Sequence, residues 1–272
     1  MKRRSFLKSM SLMPFAGFFG YKAAKPIIKP DLPVIEFAKK VMFPWKGKGI
    51  VVPFPVDTFH EKIAQSYEDD IACLVLKHRQ GGFSTFNLIQ GFYDSINKPE
   101  FKSVYFSGTM NMSECMADLA YNIAVNNLEL IWNHIKSISD WGIKFNNGSN
   151  LLFASRSGLP KCYVNRVYFD EAAWIKDLEK YHRTVWPMLC NNPLPGMRVC
   201  FTSTPYRKQG YFYELYNHKI KCDAYGKENP LKILKFSYKD SKYWKDHPEL
   251  LALVKKNLDN ESWKQEMEAE FI

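Results

Sequence analysis

None of the six cysteines, at positions 73, 115, 162, 190, 200 and 222, is paired with another at C-x-x-C spacing. No cysteine–histidine group has the spacing of a zinc site either, so a metal-stapled scaffold is excluded. Most of these cysteines stand in apolar runs and read as reduced core residues of a cytosolic protein. Internal repeats and low-complexity segments are absent, which removes repeat arrays and biased, disordered classes. The apolar stretch at residues 9–20 is short and broken by Pro14 and Gly17, too little for a membrane span. Acidic residues are scarce at the start: over residues 1–48 only Asp31 and Glu36 oppose eleven Lys and Arg, a net +9 of the chain's +10. The rest is left at +1, which argues against a broad basic nucleic-acid-binding face on the body.

Hydrophobic residues make up 46% of the 272 positions and charged residues 24%, the balance of a globular chain with one full-sized core and a small appendage. Residues 1–50 read as a basic, proline-containing arm that can touch phosphates, lie on an acidic partner or carry a targeting signal. Arg3-Arg4-Ser5-Phe6-Leu7-Lys8 matches a twin-arginine export pattern. Tyr21-Lys22-Ala23-Ala24 offers no clean A-x-A cleavage site, so the match is read as fortuitous. With Pro26, Pro30, Pro33, Pro44, Pro53 and Pro55, residues 22–57 are expected to be an extended lead-in rather than packed structure.

From about residue 58 helical and strand patterns alternate. Thr58 and Glu61 have capping-box spacing and open a helix to Asp69-Asp70, followed by a strand over Ile71–Leu76. Ser84 to Ile96 reads as a helix with Leu88, Ile89, Phe92 and Ile96 on one face. After a short strand, Ser103–Phe106, a cap-like Asn111-x-x-Glu114 starts a helix with Met112, Cys115, Met116, Leu119 and Ile123 at core spacing. Leu151–Ala154, Val164–Phe169, Val199–Thr202 and Lys232–Phe236 are further strands. This alternation predicts an α/β fold with a mostly parallel central sheet, helices on both faces, and ligands at the carboxyl ends of the strands.

Three motifs fall at such ends. In Leu74-Val75-Leu76-Lys77-His78-Arg79-Gln80-Gly81-Gly82-Phe83-Ser84-Thr85, a strand runs into a glycine pair and a helix start, which suits phosphate. A standard P-loop has lysine directly before its hydroxyl residue, where Phe83 stands. Lys77 or Arg79 can supply the cation from the other end of the loop, and Ser84 can ligate Mg²⁺. Arg166-Val167-Tyr168-Phe169-Asp170-Glu171 is an apolar strand ending in two acids, as a Walker B segment needs: Asp170 for the metal and Glu171 to polarise water. Phe201-Thr202-Ser203-Thr204-Pro205 puts three hydroxyls at a third strand end, where they can sense a γ-phosphate. Taken singly, each motif also fits a glycine turn, helix-N-terminal acids, or a plain Ser/Thr-Pro turn.

Together, LKHRQGGFST, NRVYFDEAAW and CFTSTPYRKQGYFYELY resemble the ATPase domain of the large terminase subunit, the DNA-packaging motor of tailed bacteriophages. Trp263 to Phe271 resembles the Q-E-x-x-x-E-F segment that leads out of that domain, and the resemblance covers residues 55–272. It implies a P-loop NTPase of the ASCE/RecA-like class over residues 51–260, with residues 261–272 as the start of a linker. It further implies ATP and Mg²⁺ bound by Lys77, Arg79, Gln80, Gly81, Gly82, Phe83, Ser84 and Thr85, with Ser84 and Asp170 on the metal. Glu171 would activate water, assisted by Lys77 and Arg79, and Thr202, Ser203 and Thr204 would couple hydrolysis to movement. Implied partners are double-stranded DNA, a portal protein, a small terminase subunit and further copies in a ring, in the cytoplasm of an infected host. Arg156 and Arg207 are candidates for an arginine acting on a neighbour's site.

Two departures from the family are visible. The RNase H-like nuclease domain would begin where this sequence stops, at Ile272, so a nuclease is expected on another chain or lost by truncation. His60 stands where a glutamine ordinarily reads adenine, so the resemblance implies a nucleotide-binding place for His60, with Gln65 a weak substitute. The competing expectations are a helicase-like or other DNA-remodelling P-loop ATPase, and a non-hydrolysing DNA- or portal-binding prophage remnant.

Overall fold

The computed structural model describes residues 32–45, 50–69, 72–155, 158, 163–190, 199–217 and 231–272. Elements alternate as expected. Helix α1 (Val34–Lys40) and a two-stranded antiparallel ladder, β1 (Met42–Trp45) with β2 (Ile50–Pro53), come first. Helix α2 (Thr58–Asp69), β3 (Ala72–Lys77), α3 (Phe83–Asn97), β4 (Lys102–Ser107) and α4 (Met110–Val125) follow. Next come β5 (Ile135–Ser139), β6 (Gly142–Phe145), β7 (Asn150–Ala154), β8 (Arg166–Asp170), α5 (Leu178–Cys190) and β9 (Val199–Ser203). Helix α6 (Tyr211–Tyr216), β10 (Lys232–Phe236) and the short helices α7 (Lys242–Asp246), α8 (Pro248–Asn257) and α9 (Asn260–Glu266) complete the chain.

Among the described residues the central sheet has eight strands in the order β10-β3-β9-β8-β4-β7-β6-β5. From β10 to β7 every pairing is parallel; β6 and β5 add an antiparallel hairpin at one edge. Every residue of β3, β8 and β9 is buried, as strands covered on both faces must be. Side-chain alternation divides them between two cores. Cys73, Val75, Tyr105, Tyr168 and Cys200 face α1–α4, and Leu74, Leu76, Phe106, Phe169 and Phe201 face the side that includes Leu178, Val185, Leu189, Phe212 and Leu215. A third, small cluster of Trp244, Trp263 and Met267 holds the C-terminal helices together. Ala269 lies in the second core, and Phe271 packs against Phe212, Tyr213 and Tyr216.

The register brings the chemistry-bearing strand ends level. Asp170 at the end of β8 pairs with Thr202 of β9 and with Ser107 of β4, and Leu76 of β3 pairs with Ser203. Strand β9 thus separates the loop strand β3 from the acidic strand β8.

The described part of residues 22–57 is not an extended lead-in. Pro33 precedes α1, where a missing N–H costs nothing, and its carbonyl accepts from the Phe37 N–H at 3.0 Å. Phe37, Ala38, Val41 and Phe54 are buried in the first core. A two-turn apolar stripe between prolines is easily read as irregular, yet tertiary burial stabilises it. Helix α4 is also turned from the expected face: it buries Ser113, Ala117, Ala120, Ile123 and Ala124, while Cys115 is exposed. Small residues let the helix lie close to β4 and β7, and its cap is Thr109, whose hydroxyl accepts from the Met112 N–H at 3.3 Å, rather than Asn111. At α2 the reciprocal start falls on Asp57 and His60: the Asp57 N–H donates to His60 Nδ1 at 2.9 Å, and Asp57 Oδ1 accepts from the Thr58 N–H at 2.8 Å.

Candidate nucleotide site

The loop between β3 and α3 is built on two left-handed residues, Gln80 (φ 64°) and Gly82 (φ 75°), which turn the chain so that α3 begins directly above the sheet. Glycine is required at 81 for space. A Cβ there would lie 2.3 Å from the Phe83 ring and 2.9 Å from His78. Phe83 itself is 2% exposed and points down, stacked on Phe59 at 4.7 Å and on Phe236 at 6.1 Å. A lysine in its place would put an ammonium into this aromatic cluster, which explains why the cation stands elsewhere.

That cation is Lys77. As the last residue of β3 it is 4% exposed, and its ammonium pairs with the Glu171 carboxylate. Arg79 does not join it. Its backbone N–H donates to the Glu266 carbonyl at 2.8 Å, and its guanidinium takes the Glu266 carboxylate with both Nε and Nη2, tying the loop to the end of α9.

Ser84, in the first turn of α3, donates its hydroxyl to Asp170 at 2.9 and 3.1 Å from the two carboxylate oxygens. Hydroxyl and carboxylate thus meet at one point, and among the described residues no group of three or more His, Cys, Asp or Glu is placed to hold a metal ion. One carboxylate with one hydroxyl suits Mg²⁺, which keeps several waters and shares substrate phosphates. A helix N-terminus without competing acid in its first turn, with a glycine-walled approach, suits phosphate. The residues present therefore fit a magnesium nucleotide. Thr85 lies half-buried beside Ser84 in the same turn.

Asp170 and Glu171 are adjacent yet electrostatically opposed. Burial, and then the Glu171 charge, hold Asp170 above the usual carboxylate range. Burial works the same way on Glu171, but the Lys77 ammonium and its hydrogen bond outweigh it and lower the pKa. Glu171 adopts a left-handed conformation (φ 48°) as the chain leaves β8 for a 3₁₀ turn, Ala172–Trp174. Its Oε2 faces three donors at the end of β9: Ser203 Oγ at 3.4 Å, the Thr204 N–H at 3.3 Å and Thr204 Oγ1 at 3.4 Å.

Thr202 faces elsewhere. Its hydroxyl accepts from Asn87 Nδ2 at 3.1 Å and lies 3.3 Å from Cys200 Sγ, in a buried polar cluster with Tyr67 between sheet and helices. His60 is buried under the loop among Phe54, Phe59 and Phe86, with Nε2 towards Gly81 and Gly82. Burial drives its pKa down to about 3, so it is neutral. Gln65 lies exposed on α2, bonded to Asp69 at 2.6 Å. Arg207 is exposed over the Tyr206 ring at 4.9 Å, and Arg156 lies outside the described residues. Glu266 and Trp174 also stand at the site; both fall in segments that carry the resemblance, Trp263 to Phe271 and NRVYFDEAAW, but no sequence pattern assigned either a role, and only the fold shows what they touch.

No protein-family model and no curated protein sequence matches the chain. Solved structures do. The large terminase ATPase domain of Thermus phage P74-26 superposes with a TM-score of 0.58 at 16% identity, over 80% of this chain and 95% of that one. The large terminase of bacteriophage HK97 gives 0.60 at 14% identity, over 88% of this chain and 47% of that one. The large terminase of a thermophilic bacteriophage, solved with ATP-γ-S, gives 0.56 at 13% identity, over 80% of this chain and 53% of that one. The sheet and its flanking helices are arranged as in these structures, and the fold of this chain is that of the ATPase domain of phage large terminases.

Proposed function

We propose that the chain is an ATP-hydrolysing motor domain that moves double-stranded DNA into a viral prohead. The observation that carries this reading is the convergence of three strand ends. Lys77 from β3, Asp170 and Glu171 from β8, and Ser203 and Thr204 from β9 meet beside the N-terminus of α3. The large terminase of the thermophilic bacteriophage was solved with ADP and with ATP-γ-S, which supports a nucleotide at the corresponding place here.

In this reading the loop amides of residues 80–84 and Lys77 bind the phosphates. Ser84 and Asp170 would hold Mg²⁺, which when bound neutralises phosphate charge and orients the γ-phosphoryl group. Asp170 and Glu171 then divide the work through their environments: Asp170 is the buried oxygen donor, and Glu171, kept ionised, orients and deprotonates the attacking water. Ser203 and Thr204 hold the second Glu171 oxygen and connect it to β9, the route by which hydrolysis reaches the DNA-moving surface. Residues 51–260 form the motor. The basic residues before it add phosphate contacts. A portal protein, a small terminase subunit and further copies in a ring are the partners this reading implies, in the host cytoplasm. No helix among the described residues is long and apolar enough to cross a membrane.

The test is DNA-stimulated ATP hydrolysis by the purified chain. We expect turnover that requires Mg²⁺ and rises with double-stranded DNA. A chain that binds no nucleotide, or hydrolyses none with DNA and portal present, refutes the proposal.

A further inference from the structure

The 3₁₀ turn after Glu171 carries Trp174, whose indole is 43% exposed yet firmly placed. Its ring packs on Tyr206 with centroids 4.1 Å apart, and its Nε1–H donates to Thr204 Oγ1 at 3.2 Å. Its backbone N–H closes the turn on the Glu171 carbonyl at 2.9 Å. The neighbouring Ala173 N–H donates to Ser203 Oγ at 3.1 Å. The turn therefore grips both hydroxyls that face Glu171 Oε2.

An indole N–H can only donate, so the Thr204 oxygen must accept from it. That leaves the Thr204 proton free to point the other way, at Glu171 Oε2, 3.4 Å distant. From this geometry we infer that Trp174 is a positioning residue for hydrolysis: through Thr204 it sets the orientation of the Glu171 carboxylate. The aromatic residue after the acidic pair thus has a chemical task as well as a packing one. Tyr206 packs against the ring, which is placed although Trp174 is exposed.

This inference rests on Glu171 acting as the base, and the experiment separates the two. Trp174→Phe keeps the ring against Tyr206 and removes only the N–H. We expect kcat to fall about three- to tenfold, the loss of one hydrogen bond, with KM for ATP and nucleotide affinity unchanged. Thr204→Val should reduce kcat at least as much, and Trp174→Phe added to Thr204→Val should cost nothing further. Trp141→Phe, at the exposed tip of the β5–β6 hairpin, serves as the control that leaves kcat alone. Additive losses, or a Trp174→Phe enzyme as fast as wild type, overturn the inference. The indole N–H resonance of Trp174, assigned by its loss in Trp174→Phe, reports the relay without turnover. It should shift in both Thr204→Val and Glu171→Gln. A resonance that ignores both substitutions overturns the inference even if the chain hydrolyses no ATP, the result that would sink the motor reading itself.

Discussion

Lys77 ends β3 with its ammonium on Glu171, and the phosphates of a nucleotide call for the same cation. Two substitutions separate these duties. Lys77→Ala should weaken nucleotide binding about ten- to a hundredfold, the worth of a charge-assisted hydrogen bond, as read by titration calorimetry. Glu171→Gln should bind ATP at least as well as wild type, because it releases the lysine, while turnover falls on the order of a hundredfold or more. A Glu171→Gln protein that keeps turning over would remove Glu171 from the role of base. Phe83→Lys restores the standard loop sequence and should fail as a repair. The ring it removes is buried against Phe59 and Phe236, so unfolding free energy should drop by about 3 kcal/mol or more in denaturant titrations, with no gain in nucleotide affinity. The identities of Lys77, Ser84, Asp170 and Glu171 are legible in the sequence because strand ends and spacing mark them. The direction each side chain takes is not. Arg79 is beside Lys77 in the loop but is held by Glu266, 187 residues away, and Thr202 is beside Ser203 but faces the other side of the sheet.

At the scale of elements, the strands are the easiest to read. Strands such as Ala72–Lys77 and Val199–Ser203 are buried on both faces, so before their polar ends residues 72–76 and 199–201 are apolar without a break that a helix would need. The hairpin of β5 and β6 escapes a sequence reading because both strands are short and β5, mostly exposed, spaces its two isoleucines three apart and so lacks the period of two that marks a strand. Helix α1 escapes it for a different reason: at seven residues it has too little length to show a period, and it is helical because Val34, Phe37 and Ala38 have a core to enter. Phe37→Ala should therefore destabilise the whole domain by about 3–5 kcal/mol in a single cooperative transition. A change confined to a few tenths of a kcal/mol would mean that α1 is peripheral.

At the scale of the whole molecule, three histidines among the described residues are buried and neutral. Burial lowers His60 to about 3, His78 to about 4 and His182 to about 4. In the unfolded chain each would titrate near its ordinary value of 6.5. Between pH 6.5 and about 4 the unfolded state therefore binds more protons than the folded one. Stability is full above this window and declines as pH falls through it, by about 1.4 kcal/mol per unit for each histidine. Asp170, raised in the fold, offsets part of this loss. Denaturant midpoints measured from pH 7 to 4 should fall steadily, and a flat profile would show that these rings are hydrated.

Charge is the other property of the whole chain. Removing residues 1–48 would take α1 and β1 from the fold, whereas removing residues 1–30 takes seven Lys and Arg and spares every described element. The shorter truncation should keep the melting temperature and flatten the salt dependence of DNA binding, by about 0.9 in log–log slope for each phosphate that the segment neutralises. An unchanged slope would assign the basic segment to something other than DNA.

The sequence by itself determined the fold class and the order of the chemistry: local hydrophobic periods specify strands and helices, and glycine, hydroxyl and acid residues at strand ends specify what those ends can bind. Only the tertiary structure decided which groups meet. Parallel pairing puts β9 between β3 and β8, so Ser203 and Thr204 come to Glu171 rather than to the loop, and the turn after Glu171 brings Trp174 to Thr204. These contacts join residues about 30 positions apart, and that of Arg79 with Glu266 joins residues 187 apart, separations at which no local pattern carries information and only close packing of the sheet and its helices does.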